Sequence, residues 1–274
     1  MKTIGMLIPT ADNSFFSELV QNAERYLHEQ GYRLMICSSD NQAEKEKEYY
    51  EVLLKAGVSG ILSVSGLSEL PDGLIPGNLP LVWLDRVPTS KRIIPWVAND
   101  DAEAMKLAAE TLIRKGCKDI ALLPGYLAEH RESPRVTGYR RALEENGISY
   151  RDEYVLNRTT KGSSESEAER MIRELLRKGN RVDGILASSD RAAFGAMAAL
   201  RSVGCYVPED VKLISFDNSS YSTMGTPSIS ALDRNPQALA ETACEILLKE
   251  ISGSTDYLVE NCIPVTLKER DSIR

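Results

Sequence analysis

Polar and aromatic side chains that could bind a ligand stand directly after the predicted strands of this chain or at the starts of the helices that follow them. They are Asn13, Phe15, Phe16, Asp85, Arg86, Arg135, Ser189, Asp217 and Arg234. In open α/β sheets, ligands bind beyond the carboxyl ends of the strands, where loops lead into helix N-termini. The positions of these residues therefore predict a ligand-binding site.

The residue types in this set suit a neutral polyol. A carboxylate accepts hydrogen bonds from vicinal hydroxyls, and the planar guanidinium of an arginine can donate hydrogen bonds to two oxygens. An aromatic face can cover the C–H side of a sugar ring. A phosphate would instead call for a glycine-rich helix N-terminus, which this sequence lacks. We therefore expect a sugar or a related polyol as the ligand.

Each candidate also has an ordinary structural interpretation. Asn13 and Asp190 are well placed as helix caps, and Asp100 or Asp101 is well placed to cap the next helix. Adjacent phenylalanines face different sides, so one of the pair is expected in the core and the other toward a cleft. Three arginines could be surface residues: Arg86, Arg131 and Arg234.

The candidates that are hardest to explain as ordinary structure are Asp85, Arg135 and Asp217. The two carboxylates follow apolar strands, where burial is costly without a partner, and no adjacent residue obviously neutralises them. The loop after Leu123 adds three possible ligand contacts: Tyr126, His130 and Arg131.

Enzymatic catalysis is not predicted. The sequence has no P-loop, no dinucleotide-binding glycine motif, no zinc-protease motif and no nucleophile elbow. Its two histidines, His28 and His130, have no obvious catalytic partners. The five cysteines are widely spaced without a C-x-x-C pair, so neither a metal site nor a cofactor is expected.

Composition restricts the class of protein further. The 274 residues are 42% hydrophobic and 27% charged, as in ordinary globular proteins, and the net charge is −7. An acidic surface is unfavourable for binding the negatively charged backbone of nucleic acid, so this chain itself is not expected to bind DNA. No apolar run approaches the roughly 18 residues that cross a bilayer, and the N-terminus lacks signal-peptide features. Unpaired cysteines fit a reducing cytoplasm.

Short apolar strands alternate with amphipathic helices along the whole chain. This alternation predicts an α/β fold with parallel sheets that helices cover on both faces. Roughly ten strands are many for one sheet, and the pattern restarts near residue 100, so we expect two similar lobes. Asn235–Ile251 is predicted as a late helix, Glu153–Leu156 as a weak strand and Tyr257–Leu267 as a terminal strand.

The chain resembles the effector-binding core of LacI/GalR-type transcriptional regulators, which share the two-lobed fold of periplasmic sugar-binding proteins. Several local matches occur in the family's order, including Asn13-x-Phe15-Phe16, Leu79-Pro80-Leu81-Val82-x-x-Asp85-Arg86, Arg135-Val136-Thr137-Gly138-Tyr139, Gly204-Cys205-Tyr206-Val207-Pro208-Glu209-Asp210-Val211, Ile214-Ser215-Phe216-Asp217-Asn218 and the terminal Leu267-Lys268-Glu269-Arg270-Asp271-Ser272.

The resemblance implies two Rossmann-like lobes of the periplasmic-binding-protein type I, joined by three crossovers. The expected N-terminal lobe is 1–98 plus 234–258, and the expected C-terminal lobe is 99–230 plus 259–274. The family's ligand contacts map onto Asn13, Phe15, Phe16, Asp85, Arg86, Arg135 and Asp217. At two further positions the sequence departs from the family: Ser189 stands where Asn is frequent, and Arg234 where Gln is frequent.

The implied function is that of a ligand-binding and dimerisation core. A polyol effector between the lobes would rotate one lobe against the other, and a homodimer would transmit this to DNA-binding heads. The family's N-terminal helix-turn-helix is missing, so operator DNA would be bound only through a domain outside this chain. Expected dimer surfaces are Gln42–Ala56, with Tyr49, Tyr50, Leu53 and Leu54, and the Leu67–Pro76 loop.

Two other functions stay open. The main alternative is the substrate-binding protein of a sugar importer, which the absence of a signal peptide disfavours. A cytosolic enzyme of sugar metabolism is a weaker alternative because no catalytic motif is present.

Overall fold

A computed structural model describes residues 2–125, 133–157 and 163–274. In chain order these residues form β1 (Lys2–Ile8), α1 (Ser14–Glu29), β2 (Tyr32–Ser38), α2 (Ala43–Lys55), β3 (Ile61–Ser63), β4 (Leu81–Leu84), β5 (Trp96–Ala98), α3 (Asp101–Arg114), β6 (Ile120–Leu123), α4 (Pro134–Glu145), α5 (Ser164–Arg177), β7 (Gly184–Ala187), α6 (Asp190–Arg201), β8 (Lys212–Asp217), α7 (Tyr221–Met224), β9 (Ser230–Asp233), α8 (Pro236–Ser252), β10 (Glu260–Cys262) and β11 (Thr266–Lys268).

The chain divides into two compact units. Unit 1 comprises Met1–Asn99 and Asn235–Pro264, and unit 2 comprises Asp100–Arg234 and Val265–Arg274. The chain therefore passes three times from one unit to the other. Each unit contains a sheet with helices packed on it, which confirms the predicted α/β class.

Unit 1 is built on a six-stranded sheet with the order β10-β5-β4-β3-β1-β2, and its paired strands are parallel. The α1 helix buries Phe16, Leu19, Ala23 and Leu27 at helical spacing, which places one apolar face on the sheet. The α8 helix joins the same hydrophobic cluster through Leu239, Ala240, Ala243, Cys244, Ile246 and Leu247.

Unit 2 is built on a five-stranded sheet with the order β11-β9-β8-β7-β6, in which only β11 runs antiparallel to its neighbour. Two helix pairs cover it, and each pair meets at a glycine. A Cβ on Gly138 would lie 2.0 Å from the Ala102 carbonyl oxygen, and one on Gly195 would lie 2.0 Å from that of Glu165. These close approaches require glycine.

The predicted terminal strand Tyr257–Leu267 is wrong, because it divides into two strands of different sheets. The β10 strand pairs with β5 in unit 1, and β11 pairs with β9 in unit 2. Residues 259–264 therefore lie in unit 1 and not, as expected, with the C-terminal lobe. Proline at position 264 lies between the two pairings and donates no backbone hydrogen bond of its own.

The predicted strand Glu153–Leu156 is also wrong. Asp152–Tyr154 forms a turn of 3-10 helix, and an isolated bridge joins Leu122 to Val155. Among the described residues, no helix is both long and apolar enough to cross a membrane.

Candidate functional site

The ring of Phe216 is the centre of a charged cluster in unit 2. Phe216 is fully buried near the carboxyl end of β8. The guanidinium carbon of Arg135 lies 3.9 Å from the ring centroid, and that of Arg234 lies 5.2 Å from it. Both distances are within the range of cation–π attraction. The Phe216 ring therefore lies beside the guanidinium groups of two arginines that come from different parts of the chain.

Two carboxylates alternate with these arginines. Arg135 donates from Nε to Asp101 Oδ2 at 2.8 Å. Arg234 lies between both acids, with Nη2 3.8 Å from Asp101 Oδ1 and Nη1 3.6 Å from Asp217 Oδ1. The order Arg135, Asp101, Arg234, Asp217 thus alternates in sign, and the four charges sum to zero. We call these four residues together with Phe216 the Phe216 cluster.

The Phe216 cluster corrects two expectations. Arg234 is not a surface residue, since its side chain is only 3% exposed. Asp217 is equally buried, and Arg234 is the neutralising partner that its sequence neighbours do not supply. Arg135 and Asp101 are more exposed, at 16% and 23%. A ligand that enters from solvent can therefore reach them more readily than the deeper pair.

Helix caps help to position two side chains of the cluster, Asp101 and Arg135. Asp100 caps α3 by accepting from the backbone N–H groups of Ala102 and Glu103, so Asp101 is the first helical residue. Ser133 caps α4 through the Val136 N–H, with Pro134 at the first position and Arg135 at the second. Asp101 and Arg135 therefore each start from a capped helix end.

The expectation that Asp190 caps α6 is wrong, because Ser189 is the capping residue. Ser189 caps α6 by accepting from the Ala192 N–H at 3.2 Å. Asp190 is buried and accepts from the Ser219 N–H at 2.7 Å, the Ser219 hydroxyl at 2.6 Å and the Ser215 hydroxyl. Burial raises the pKa of Asp190, and these hydrogen bonds oppose the shift.

In unit 1, Asn13 caps α1 by accepting from the Phe15 N–H at 2.9 Å, as its sequence position indicates. The expectation that one of the two phenylalanines faces a cleft stays a prediction. Phe15 and Phe16 are both buried in the hydrophobic cluster of this unit, with ring centroids 5.5 Å apart at an angle of 62°. Phe16 has a charged neighbour nonetheless, since the Arg86 guanidinium lies 5.5 Å from its ring centroid.

Asp85 and Arg86 follow β4 in a sharp change of backbone direction. Asp85 has a positive φ of 67°, and its N–H donates to the Val97 carbonyl at 2.8 Å. Arg86 Nε lies 3.9 Å from Asp85 Oδ2, and its Nη1 donates to Asn41 Oδ1 at 3.4 Å. Arg86 is mostly buried and is therefore not an ordinary surface residue either.

Sequence analysis missed the contributions of Asp101 and Phe216. Asp101 was interpreted only as a possible cap, and Phe216 only as part of an apolar strand. The sequence does contain one signal for Asp101: it is a second carboxylate directly beside the capping residue Asp100, and capping explains only one of the two. The candidates Tyr126, His130 and Arg131 lie outside the described residues. Within the described ranges, no group of three or more histidine, cysteine or acidic residues is arranged to hold a metal ion.

Comparisons with known proteins identify the family. A family model for the periplasmic binding protein-like domain matches residues 109–273. The HTH-type transcriptional repressor PurR of Erwinia tasmaniensis is 30% identical over 278 residues, which cover 99% of this chain and 80% of that protein.

Two solved structures are similar over nearly the whole chain. A LacI family transcriptional regulator from Enterococcus faecium, with bound ribose, has a TM-score of 0.84 and 27% identity, covering 99% of this chain and 98% of that one. A periplasmic binding protein/LacI transcriptional regulator from Alkaliphilus metalliredigens, complexed with D-xylulofuranose, has a TM-score of 0.83 and 26% identity, covering 99% of both chains.

These relatives are regulators rather than enzymes, and the two-unit fold agrees with theirs. The chain therefore belongs to the LacI/GalR family of transcriptional regulators, and it corresponds to the periplasmic-binding-protein-like, effector-binding core of these proteins.

Proposed function

We propose that this core binds a small neutral polyol, such as a sugar, as the effector of a transcriptional regulator. The observation that carries the proposal is the charge balance of the Phe216 cluster, where two arginines face two carboxylates. Such a site offers donors and acceptors to hydroxyl groups. Among the described residues, the charges of the cluster sum to zero, so they add no net charge that would offset the cost of desolvating an ionic ligand.

Unit 1 supports the same ligand class. Asp85 and Arg86 again form a balanced pair, and the Phe16 ring lies beside Arg86. The proposed effector contacts are Asn13, Phe16, Asp85 and Arg86 in unit 1 and Arg135, Ser189, Asp217 and Arg234 in unit 2. Although Ser189 Oγ accepts the cap hydrogen bond, its hydroxyl proton can still be donated to a ligand.

The similar structures with bound ribose and D-xylulofuranose also favour a sugar. The proposed sequence of events is that effector binding shifts the equilibrium between two arrangements of the regulator and so changes its affinity for operator DNA. A regulator that acts on DNA in this way works in the cytoplasm.

Isothermal titration calorimetry against a panel of pentoses, hexoses and nucleosides tests the proposal. With the ligand so found, Asp217→Asn and Asp85→Asn should each weaken binding by roughly 30- to 1,000-fold, since each removes a charged hydrogen-bond partner worth about 2–4 kcal/mol in a desolvated site. Asp119→Asn is the matched control, because Asp119 precedes β6 and pairs with Arg151 away from the carboxyl ends of the strands. Unchanged affinity in both test variants would refute the assigned residues.

We also propose a homodimer. The expected surface on α2 needs correction, since Tyr50 and Leu53 are fully buried within unit 1. On the same helix Val52 is 47% exposed, and on β2 Met35 and Ile36 are exposed apolar residues. These three residues replace Tyr50 and Leu53 as candidate contacts. Sedimentation at tens of micromolar that gives only a 30.3 kDa species would contradict the dimer.

A further inference from the structure

The turn that carries Asp217 has an unusual backbone. Asp217 has a φ of 104° and Asn218 has a φ of 57°, so two consecutive residues other than glycine adopt positive values. Such residues persist at positive φ only where their surroundings hold them. The direction of the Asp217 side chain, and therefore its pairing with Arg234, depends on whatever holds this turn.

Asp190 holds one side of the turn. Its carboxylate is almost completely buried at the start of α6 and accepts both the backbone and the hydroxyl hydrogen bonds of Ser219. The same carboxylate accepts from the hydroxyl of Ser215, which lies in β8 before the turn. Asp190 therefore joins the residues that precede and follow the Asp217–Asn218 pair.

Arg270 holds the other side. It comes from the C-terminal segment, and its Nη2 donates to Asn218 Oδ1 at 2.6 Å. Its Nη1 donates to the Ile229 carbonyl at 2.7 Å, and its backbone N–H donates to Ser230 Oγ at 2.8 Å. A single arginine thus connects the turn to the start of β9, the strand that leads to Arg234.

We infer that Asp190 and Arg270 are positioning residues for effector binding, which set the alignment of Asp217 with Arg234 by clamping the turn between them. The clamp links the C-terminal segment of the chain to the Phe216 cluster. The inference rests on the proposed function insofar as Asp217 contacts the effector, but the clamp itself is independent of any ligand.

The test compares Arg270→Gln with Arg274→Gln. Arg274 lies in the same C-terminal segment and forms an exposed ion pair with Asp271, so it is a matched control. In amide hydrogen exchange of the full chain without ligand, Arg270→Gln should accelerate exchange at residues 217–220 by at least about tenfold relative to the control. Arg270→Lys keeps the charge and one donor, and should restore part of the protection.

Affinity for the sugar identified by calorimetry supplies the second readout. Arg270→Gln should weaken it by about tenfold or more at a temperature where the thermal unfolding curve shows the variant fully folded, while Arg274→Gln should leave it unchanged. Equal exchange in the two variants at residues 217–220 would overturn the inference. If the wild-type protein binds no sugar in the panel, the proposed ligand class fails, and the exchange experiment still decides whether the clamp exists.

Discussion

Each unit contains an aspartate–arginine pair after its strands, and the two pairs differ in construction. Asp85 and Arg86 are sequence neighbours in unit 1, whereas in unit 2 Asp217 ends β8 and Arg234 follows β9. In the first pair the Arg86 side chain is 16% exposed and that of Asp85 is 7% exposed, whereas both side chains of the second pair are only 3% exposed. The free-energy cost of losing one partner of an ion pair increases with the burial of the charge that is left behind. The two pairs should therefore respond very differently to the same substitution.

The largest predicted effect comes from Arg234→Met, which keeps most of the apolar stem and removes the charge. It should lower the free energy of unfolding by about 3 kcal/mol, because Asp217 would stay buried without its arginine. The matched change in unit 1, Arg86→Met, should cost less, about 1–2 kcal/mol, because the Asp85 and Arg86 side chains are less deeply buried. Denaturant unfolding monitored by circular dichroism measures both.

A double variant sharpens this comparison. Adding Asp217→Asn to Arg234→Met removes the second charge, and asparagine tolerates the positive φ of this position. The double variant should recover at least half of the lost stability. If Arg234→Met and Arg86→Met cost the same, the distinction between the two pairs is wrong.

A second contrast concerns helix packing, with an intermediate expected effect. Gly195→Ala in unit 2 should destabilise the protein by about 2 kcal/mol, because its Cβ would collide with a backbone carbonyl and force α5 and α6 apart. Gly5→Ala in unit 1 should cost less, since the nearest atoms to a Cβ there would be the Leu53 side-chain methyls at 2.9 Å, which can move more easily than a backbone carbonyl. Thermal unfolding of the two variants checks the order, and a larger loss for Gly5→Ala would contradict it.

The smallest predicted effect is a pH dependence that Asp190 contributes to unit 2. Burial raises its folded-state pKa above the ordinary value of 3.8, so the folded protein binds a proton more tightly than the unfolded chain. Its contribution to stability should therefore fall as the pH rises from 3.8 through the folded-state pKa. Asp190→Asn should lack this component. Unfolding free energies of both proteins across that window would show parallel curves if the prediction is wrong.

The sequence predicts best what depends on neighbouring residues. The alternation of strands and helices, the cap at Asn13 and the placement of Asp85 beside Arg86 all follow from local pattern. The Phe216 cluster does not, because Asp101, Arg135 and Arg234 come from separate elements that only the folded sheet brings together. The division of Tyr257–Leu267 between two sheets was missed for the same reason, because the residues of one run do not show that its two halves pair with different strands.

The most direct test of the central claim compares a neutral ligand with its charged counterpart. Calorimetric titration with D-ribose and with ribose 5-phosphate asks whether the balanced Phe216 cluster selects an uncharged polyol. We expect the neutral sugar to bind and the phosphorylated one to bind at least about tenfold more weakly, because the phosphate must be desolvated at a cluster whose four charges sum to zero. Tighter binding of ribose 5-phosphate would contradict the assignment of a neutral effector.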